Sequence, residues 1–186
     1  MKRICSDLRY DRRGYGRSFD IQMPPWGHDR GSPLWLVEEM SHPAYNLFPR
    51  RRLDVVTSRS PVTERRSVEA IAVYFKREFG YDFVQFSSGS GRFRESEDVR
   101  AFVWSDIGKH RMGIEDRWVT GATCFRWREY LDAPSGYAMQ WIWLHPYVRH
   151  QGLLTSAWPF FRARFGDFVC EPPLSDAMSR FLEKLS

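Results

Sequence analysis

The sequence predicts a mixed α/β fold: a mostly antiparallel central sheet flanked by helices, with an irregular N-terminal arm. Three observations predict it. Strand-like runs with turn signals between them follow one another from residue 81 to residue 144. Apolar residues recur at helical spacing before and after that region. Residues 1–60 instead contain many Gly and Pro residues and little periodicity. We therefore predict an arm over 1–60 that packs on the core, and one domain over 61–186.

The first predicted helix has Ser60 as its N-cap, Pro61 as its first residue and Gly80 as its stop. Two strand candidates follow, at 81–87 and 99–105, separated by a stretch rich in Gly and Ser.

Two further strand candidates, at 118–130 and 137–144, flank a turn-rich segment and so predict a hairpin. A helix is predicted from Gly152 to about Phe165, then a strand over 167–171 and a last helix over 174–185. Because Pro159 removes a helical hydrogen bond, the first of these helices is expected to kink or to divide into two.

The stretch from Trp141 to Leu154 is the most informative part of the chain. An apolar run ends at Pro146, and Arg149-x-x-Gly152-x-Leu154 then opens a helical pattern. At such a strand-to-helix junction, several backbone N–H groups and the positive end of a helix dipole point at one place, as bound pyrophosphate requires. Gly152 would let a ligand approach the backbone closely.

Leu144-His-Pro-Tyr-Val-Arg-His-Gln-Gly-Leu-Leu154 resembles the acyl-CoA signature of the GNAT superfamily of N-acetyltransferases, Val/Leu-x-Pro-x-x-Arg-x-x-Gly-x-Gly/Ala. The ending Phe181-Leu-Glu-Lys-Leu-Ser186 is similar to the end of that family's last helix. The resemblance covers about 81–186, and only 138–154 is specific. It implies an acyl-CoA N-acyltransferase-like fold and transfer of an acetyl group from acetyl-CoA, as co-substrate, to an amine by direct attack.

The resemblance also implies a set of residues that contact acetyl-CoA. The backbone of Ile142, Trp143 and Leu144 would pair with the pantetheine where the sheet splays, and the Leu144 N–H would face the acyl oxygen. Ser175 would be a pantetheine or thiolate contact. The residues expected to bind the pyrophosphate are Arg149, His150, Gln151, Gly152, Leu153 and Leu154. The arm would shape the acceptor site, and either the arm or a second subunit of a homodimer would complete the sheet edge.

The catalytic side chains depart from the family pattern. Many members have a glutamate base four residues before the Leu144 position and a tyrosine acid in the last helix, and this chain has Gln140 and Leu182 there. Three substitutes are candidates, each with a structural alternative. Glu171 is either a catalytic group or one half of a salt bridge. His145 is either a general base or a structural residue of the turn that contains it. Ser175 either contacts the thiolate or serves as the N-cap of the last helix.

Charge is concentrated in the first third of the chain. Up to Arg66 there are 13 Lys and Arg against 8 Asp and Glu, which accounts for the whole net charge of +5. Arg-rich clusters at 9–17 and 50–52 are suited to phosphates, so one alternative function is acyl modification of nucleic acid. The other interpretation pairs these arginines with nearby aspartates on a solvated surface.

The cysteine, histidine and apolar patterns argue against several classes of protein. Three cysteines without Cys-x-x-Cys spacing and five histidines without ligand spacing predict neither disulfides nor a metal site. No apolar run resembles an export signal or a membrane span, so a cytoplasmic location is expected. A third functional alternative is a non-catalytic binding module, because the usual acid and base are missing.

Overall fold

A computed structural model describes residues 51–89, 98–109, 115–131 and 134–185. These residues form five strands and three helices. In chain order they are β1 (Arg51–Val56), α1 (Val62–Phe79), β2 (Val99–Lys109), β3 (Glu115–Arg128), β4 (Gly136–Leu144), α2 (Leu153–Phe165), β5 (Val169–Cys170) and α3 (Asp176–Glu183). A single 3-10 turn, Pro146–Val148, lies between β4 and α2.

The five strands form one open sheet in the order β1-β2-β3-β4-β5. β1 to β4 pair antiparallel with their neighbours, and β5 runs parallel to β4. The predicted class, a mostly antiparallel mixed sheet flanked by helices, is therefore confirmed.

Each face of the sheet has its own apolar core, because successive side chains of a strand point to opposite faces. Val68, Ile71 and Phe75 of α1 pack on one face, together with Trp141 and Trp143 of β4. The other face is covered by α2 and α3, with side chains that include Phe102, Phe125, Met139, Leu153, Phe161 and Met178. β4 thus contributes side chains to both cores.

β1 corrects the expectation that residues 51–60 belong to an irregular arm. Its six residues pair with β2 from Arg51 opposite Asp106 to Val56 opposite Ala101. Charged residues interrupt its apolar pattern, so the strand is specified by pairing with a distant segment rather than by local sequence. Residues 1–50, including the Arg-rich cluster at 9–17, lie outside the described residues, and the arm over that range stays a prediction.

The predicted strand over 81–87 is wrong, because those residues form no strand. Side chains hold the backbone here instead: Trp141 Nε1 donates to Gln85 O at 3.3 Å, and Arg65 Nη1 donates to the O of Ser88, directly after the segment. Phe86 is buried in the core beneath α1. An extended apolar pattern is thus used for packing rather than for sheet pairing.

The ends of α1 agree only in part with the sequence. Gly80 ends the helix with a φ of 73°, as predicted. The N-cap residue is Pro61, whereas the Ser60 hydroxyl accepts a hydrogen bond from Thr57 N at 3.0 Å. Ser60 therefore belongs to the turn after β1 and not to the helix.

Downstream elements follow the prediction more closely. α2 begins directly after Gly152 and runs through Pro159 as one helix. Ser175 is the N-cap of α3. β5 has only two residues rather than five, and the ladder ends there because Pro172 and Pro173 carry no N–H group to extend it.

Candidate functional site

The free edge of β4 is the first component of the candidate site. β5 pairs with β4 only at Ala138 and Met139, and the last link is Glu171 N donating to Met139 O at 2.9 Å. His145 N donates to Thr120 O at 2.8 Å on the β3 side. Because backbone groups of a strand alternate in direction, those of Ile142 and the N–H of Leu144 point away from β3, toward the gap beyond β5.

A β-bulge at Gln140 marks where this gap opens. Cys124 is opposite Trp141 and Phe125 is opposite Met139, so Gln140 has no counterpart on β3. Such an extra residue bends the strand and reorients its side chains. The side-chain amide oxygen of Gln140, Oε1, accepts a hydrogen bond from Arg126 Nε at 3.0 Å. The amide side chain is therefore held at the rim of the gap.

The turn between β4 and α2 is the second component. His150 has a φ of 61° and Gly152 a φ of 77°, so two residues of this turn are left-handed. Ser156 N makes the first helical bond, to Gly152 O at 2.8 Å, and the amides before it in α2 have no helical acceptor. A Cβ placed on Gly152 would meet no atom within 4 Å. The space beside Gly152, at the positive end of α2, is therefore open.

Arg149 stabilises this turn from behind. Its guanidinium donates to both carboxylate oxygens of Glu78 at 2.8 and 2.7 Å, and its Nε donates to Leu144 O at 2.7 Å. Trp143 Nε1 donates to the same carboxylate at 2.8 Å. The Arg149 side chain therefore connects the turn to α1.

His145 is part of the same turn. Its Nδ1 accepts a hydrogen bond from Tyr147 N at 3.2 Å, and its ring stacks on Tyr147 at 5.1 Å. Burial, together with the positive charge of Arg149, lowers the pKa of His145 below its ordinary value. The imidazole is accordingly neutral near pH 7 and caps the turn, which is the structural alternative that the sequence left open.

A groove, here called the β4–β5 groove, occupies the gap between the two strands. It passes between the C-terminal end of α1 on one face and the start of α3 on the other. The residues that line it are Phe75, Phe79, Tyr81, Met139, Gln140, Trp141, Ile142, Cys170, Glu171, Pro173, Leu174, Ser175 and Met178.

Glu171 lies in this groove as one half of an ion pair. Its Oε2 accepts from Arg128 Nη2 at 2.9 Å, and its Oε1 accepts from Arg128 Nε. Hydrogen bonding to Glu171 raises the pKa of Arg128 above its ordinary value. The salt bridge that the sequence offered as an alternative is present, and a catalytic role for Glu171 stays a prediction.

Two hydroxyl groups and one thiol also face the groove. The Ser175 hydroxyl accepts from Met178 N at 3.2 Å, which leaves its own hydrogen available. The Tyr81 hydroxyl donates to Pro173 O at 3.2 Å, and burial raises its pKa. Burial also raises the pKa of the Cys170 thiol to about 11. All three groups are therefore protonated near neutral pH.

The fold brings together some of the predicted residues and separates others. Ile142, Glu171 and Ser175 line one groove, whereas the Trp143 side chain is buried against α1. The Gln151 side chain donates to Tyr147 O at 2.6 Å within the turn. Sequence reasoning missed Tyr81 and Glu78, which meet their partners across 92 and 71 residues of chain. No local pattern marks either residue.

The described ranges, residues 51–89, 98–109, 115–131 and 134–185, contain no candidate metal centre and no candidate membrane span. No group of three or more His, Cys, Asp or Glu side chains in these ranges is arranged to hold a metal ion. None of the helices found there is both long enough and apolar enough to cross a bilayer.

Comparison with known proteins assigns the chain to no family. No protein-family model matches it, and no curated protein matches it.

Proposed function

We propose that this protein is an acyl-CoA-dependent N-acyltransferase that moves an acetyl group from acetyl-CoA to an amine by direct attack. Two sets of backbone groups carry the proposal: those of Ile142 and Leu144 on the free edge of β4, and the amides in the first turn of α2, which have no helical acceptor. The resemblance of residues 144–154 to the GNAT signature supports the same conclusion.

The edge of β4 fits an extended amide-bearing chain such as pantetheine. Ile142 presents an N–H and a C=O, and Leu144 presents an N–H, at strand spacing and without strand partners on that side. A bound strand-like ligand is held by such groups in the same way as an added strand. The Leu144 N–H is then the donor toward the acyl oxygen, where negative charge develops during attack.

The turn at the start of α2 fits a pyrophosphate. The amides from Gly152 onward would bind the two phosphates, aided by the helix dipole. Arg149 acts here as a positioning residue, since its side chain is engaged by Glu78 and Leu144.

The groups at the groove suit direct attack better than an acyl-enzyme route. Bound acetyl-CoA would supply the activated thioester. Cys170 is an unsuitable nucleophile because its thiol stays protonated, and thiolates rather than thiols attack acyl groups. The hydroxyls of Tyr81 and Ser175 can each donate a proton or a hydrogen bond to a departing thiolate.

Calorimetry with acetyl-CoA tests the proposal. Wild type should bind, and Gly152→Asp should lose binding because it places a carboxylate beside the phosphates. Gly152→Asn is the matched control, since Asn tolerates a left-handed backbone and has almost the same shape without the charge. Equal affinity of the two variants would refute the placement of the phosphates, and an absence of binding by wild type would refute the function.

A further inference from the structure

We infer that the acceptor is a monoamine carried on an aromatic or flat apolar body, rather than a polycation such as a polyamine. The inference rests on the proposed acyltransferase function and concerns the part of the β4–β5 groove that faces α1.

Aromatic rings form that wall of the groove. Phe79 and Tyr81 are half-buried, and both rings lie 5.0 Å from the ring of Phe75 behind them. Trp141 lies 5.8 Å from Phe75 and closes the base of the wall. A flat ligand can stack against such rings and replace solvent there, which stabilises the complex through burial and ring-ring contacts.

Among the described residues, those that line the groove offer no spare negative charge. Glu171 is the one acidic residue among them, and Arg128 neutralises it through two hydrogen bonds. Glu78, close by on α1, is already bound to Arg149 and Trp143. A polyamine needs a carboxylate for each of its buried ammonium groups, because an unpaired buried charge is strongly unfavourable.

A neutral aromatic groove also bears on how the amine loses its proton. Gln140, at the bulge, cannot act as a base, and its side-chain oxygen Oε1 accepts a hydrogen bond from Arg126. Removal of an ammonium group from water lowers its pKa, which favours the uncharged nucleophile without a strong base. A single amine benefits from this effect, whereas the other charges of a polyamine would still have to be accommodated.

The direct test compares two acceptors with the full-length protein and acetyl-CoA, by release of free CoA thiol. We expect kcat/KM for 2-phenylethylamine to exceed that for spermidine by about tenfold or more. Equal or faster transfer to spermidine would overturn the inference and leave the proposed function standing. Failure of wild type to bind acetyl-CoA and to acetylate any amine would overturn both.

A pair of variants tests whether the acceptor stacks on the aromatic wall of the groove. Phe79→Ala should raise KM for 2-phenylethylamine about tenfold while the Kd for acetyl-CoA stays unchanged. Phe83→Ala is the control, because that side chain is 66% exposed and lies outside the groove. An unchanged KM in Phe79→Ala, with acetyl-CoA still bound, would contradict an acceptor stacked on this wall.

Discussion

Helix α1 has a carboxylate near each of its ends, Glu64 buried and Glu78 partly buried, and the two differ in their partners. Glu78 accepts hydrogen bonds from both Arg149 and Trp143. Glu64 is 2% exposed, and its Oε1 has no hydrogen-bond partner in the described part of the chain. Burial, reinforced by the nearby negative charge of Asp54, raises the pKa of Glu64 to about 7.

This difference shows that the Glu78 end of α1, rather than the Glu64 end, is connected to the candidate site. At the Glu78 end, one carboxylate joins α1 to the turn before α2, and the next residue, Phe79, belongs to the aromatic wall of the groove. At the Glu64 end, a carboxylate is desolvated without such compensation. Glu78, which is paired with Arg149, stabilises the position of the turn. Glu64 is expected to make the free energy of unfolding depend on pH.

The largest expected effect is that of Glu78→Ala. The change leaves the Arg149 side chain, only 19% exposed, without its carboxylate, and should cost about 3 kcal/mol of unfolding free energy. Affinity for acetyl-CoA should fall as well, because the turn loses its link to α1. Urea unfolding and calorimetry measure the two effects.

A double-mutant cycle shows whether the pair itself is responsible. Glu78→Ala combined with Arg149→Met should lose clearly less stability than the sum of the single changes, since neither partner is then left charged and alone. Additive losses would contradict a direct coupling between the two residues.

Glu64→Gln should have the next largest effect, and its sign depends on pH. The pKa of about 7 in the folded protein lies above the ordinary value of 4.5, so wild type loses stability as pH rises between these values. The variant should be more stable by up to about 3 kcal/mol at pH 8 and nearly equal to wild type below about pH 4.

Unfolding measured across that pH range tests the prediction for Glu64. The matched control is Glu69→Gln, a half-buried position on the same helix, which should keep the wild-type slope. If the free energy of unfolding of Glu64→Gln still falls with rising pH as in wild type, another group is responsible for the pH dependence.

Arg128→Met should have the smallest effect on stability. Its side chain is 38% exposed, so loss of the ion pair with Glu171 should cost less than about 1 kcal/mol. The groove would then contain an unpaired carboxylate, and KM for spermidine should fall relative to that for 2-phenylethylamine. An unchanged ratio of the two KM values would show that Glu171 does not face the acceptor.

Elements with strong local signals could be predicted from the sequence. Gly80 ends α1 and Gly152 precedes α2 because each adopts a left-handed backbone that other residues resist. Ser175 caps α3 through its own hydroxyl. β1 and the segment after Gly80 could not be predicted, because pairing partners and side-chain contacts far along the chain decide whether an extended stretch becomes a strand.

The candidate site likewise has one part that the sequence predicts and another that it does not. The sequence by itself determined the junction at Gly152, since a strand, a turn and a helix start are all encoded within a few residues. Only the tertiary structure decided that Arg149 pairs with Glu78, that Gln140 bulges, and that Phe79 and Tyr81 line one groove with Glu171. Those contacts join residues that lie far apart in sequence, and they exist only because the sheet opens beyond β5 and α1 packs against it.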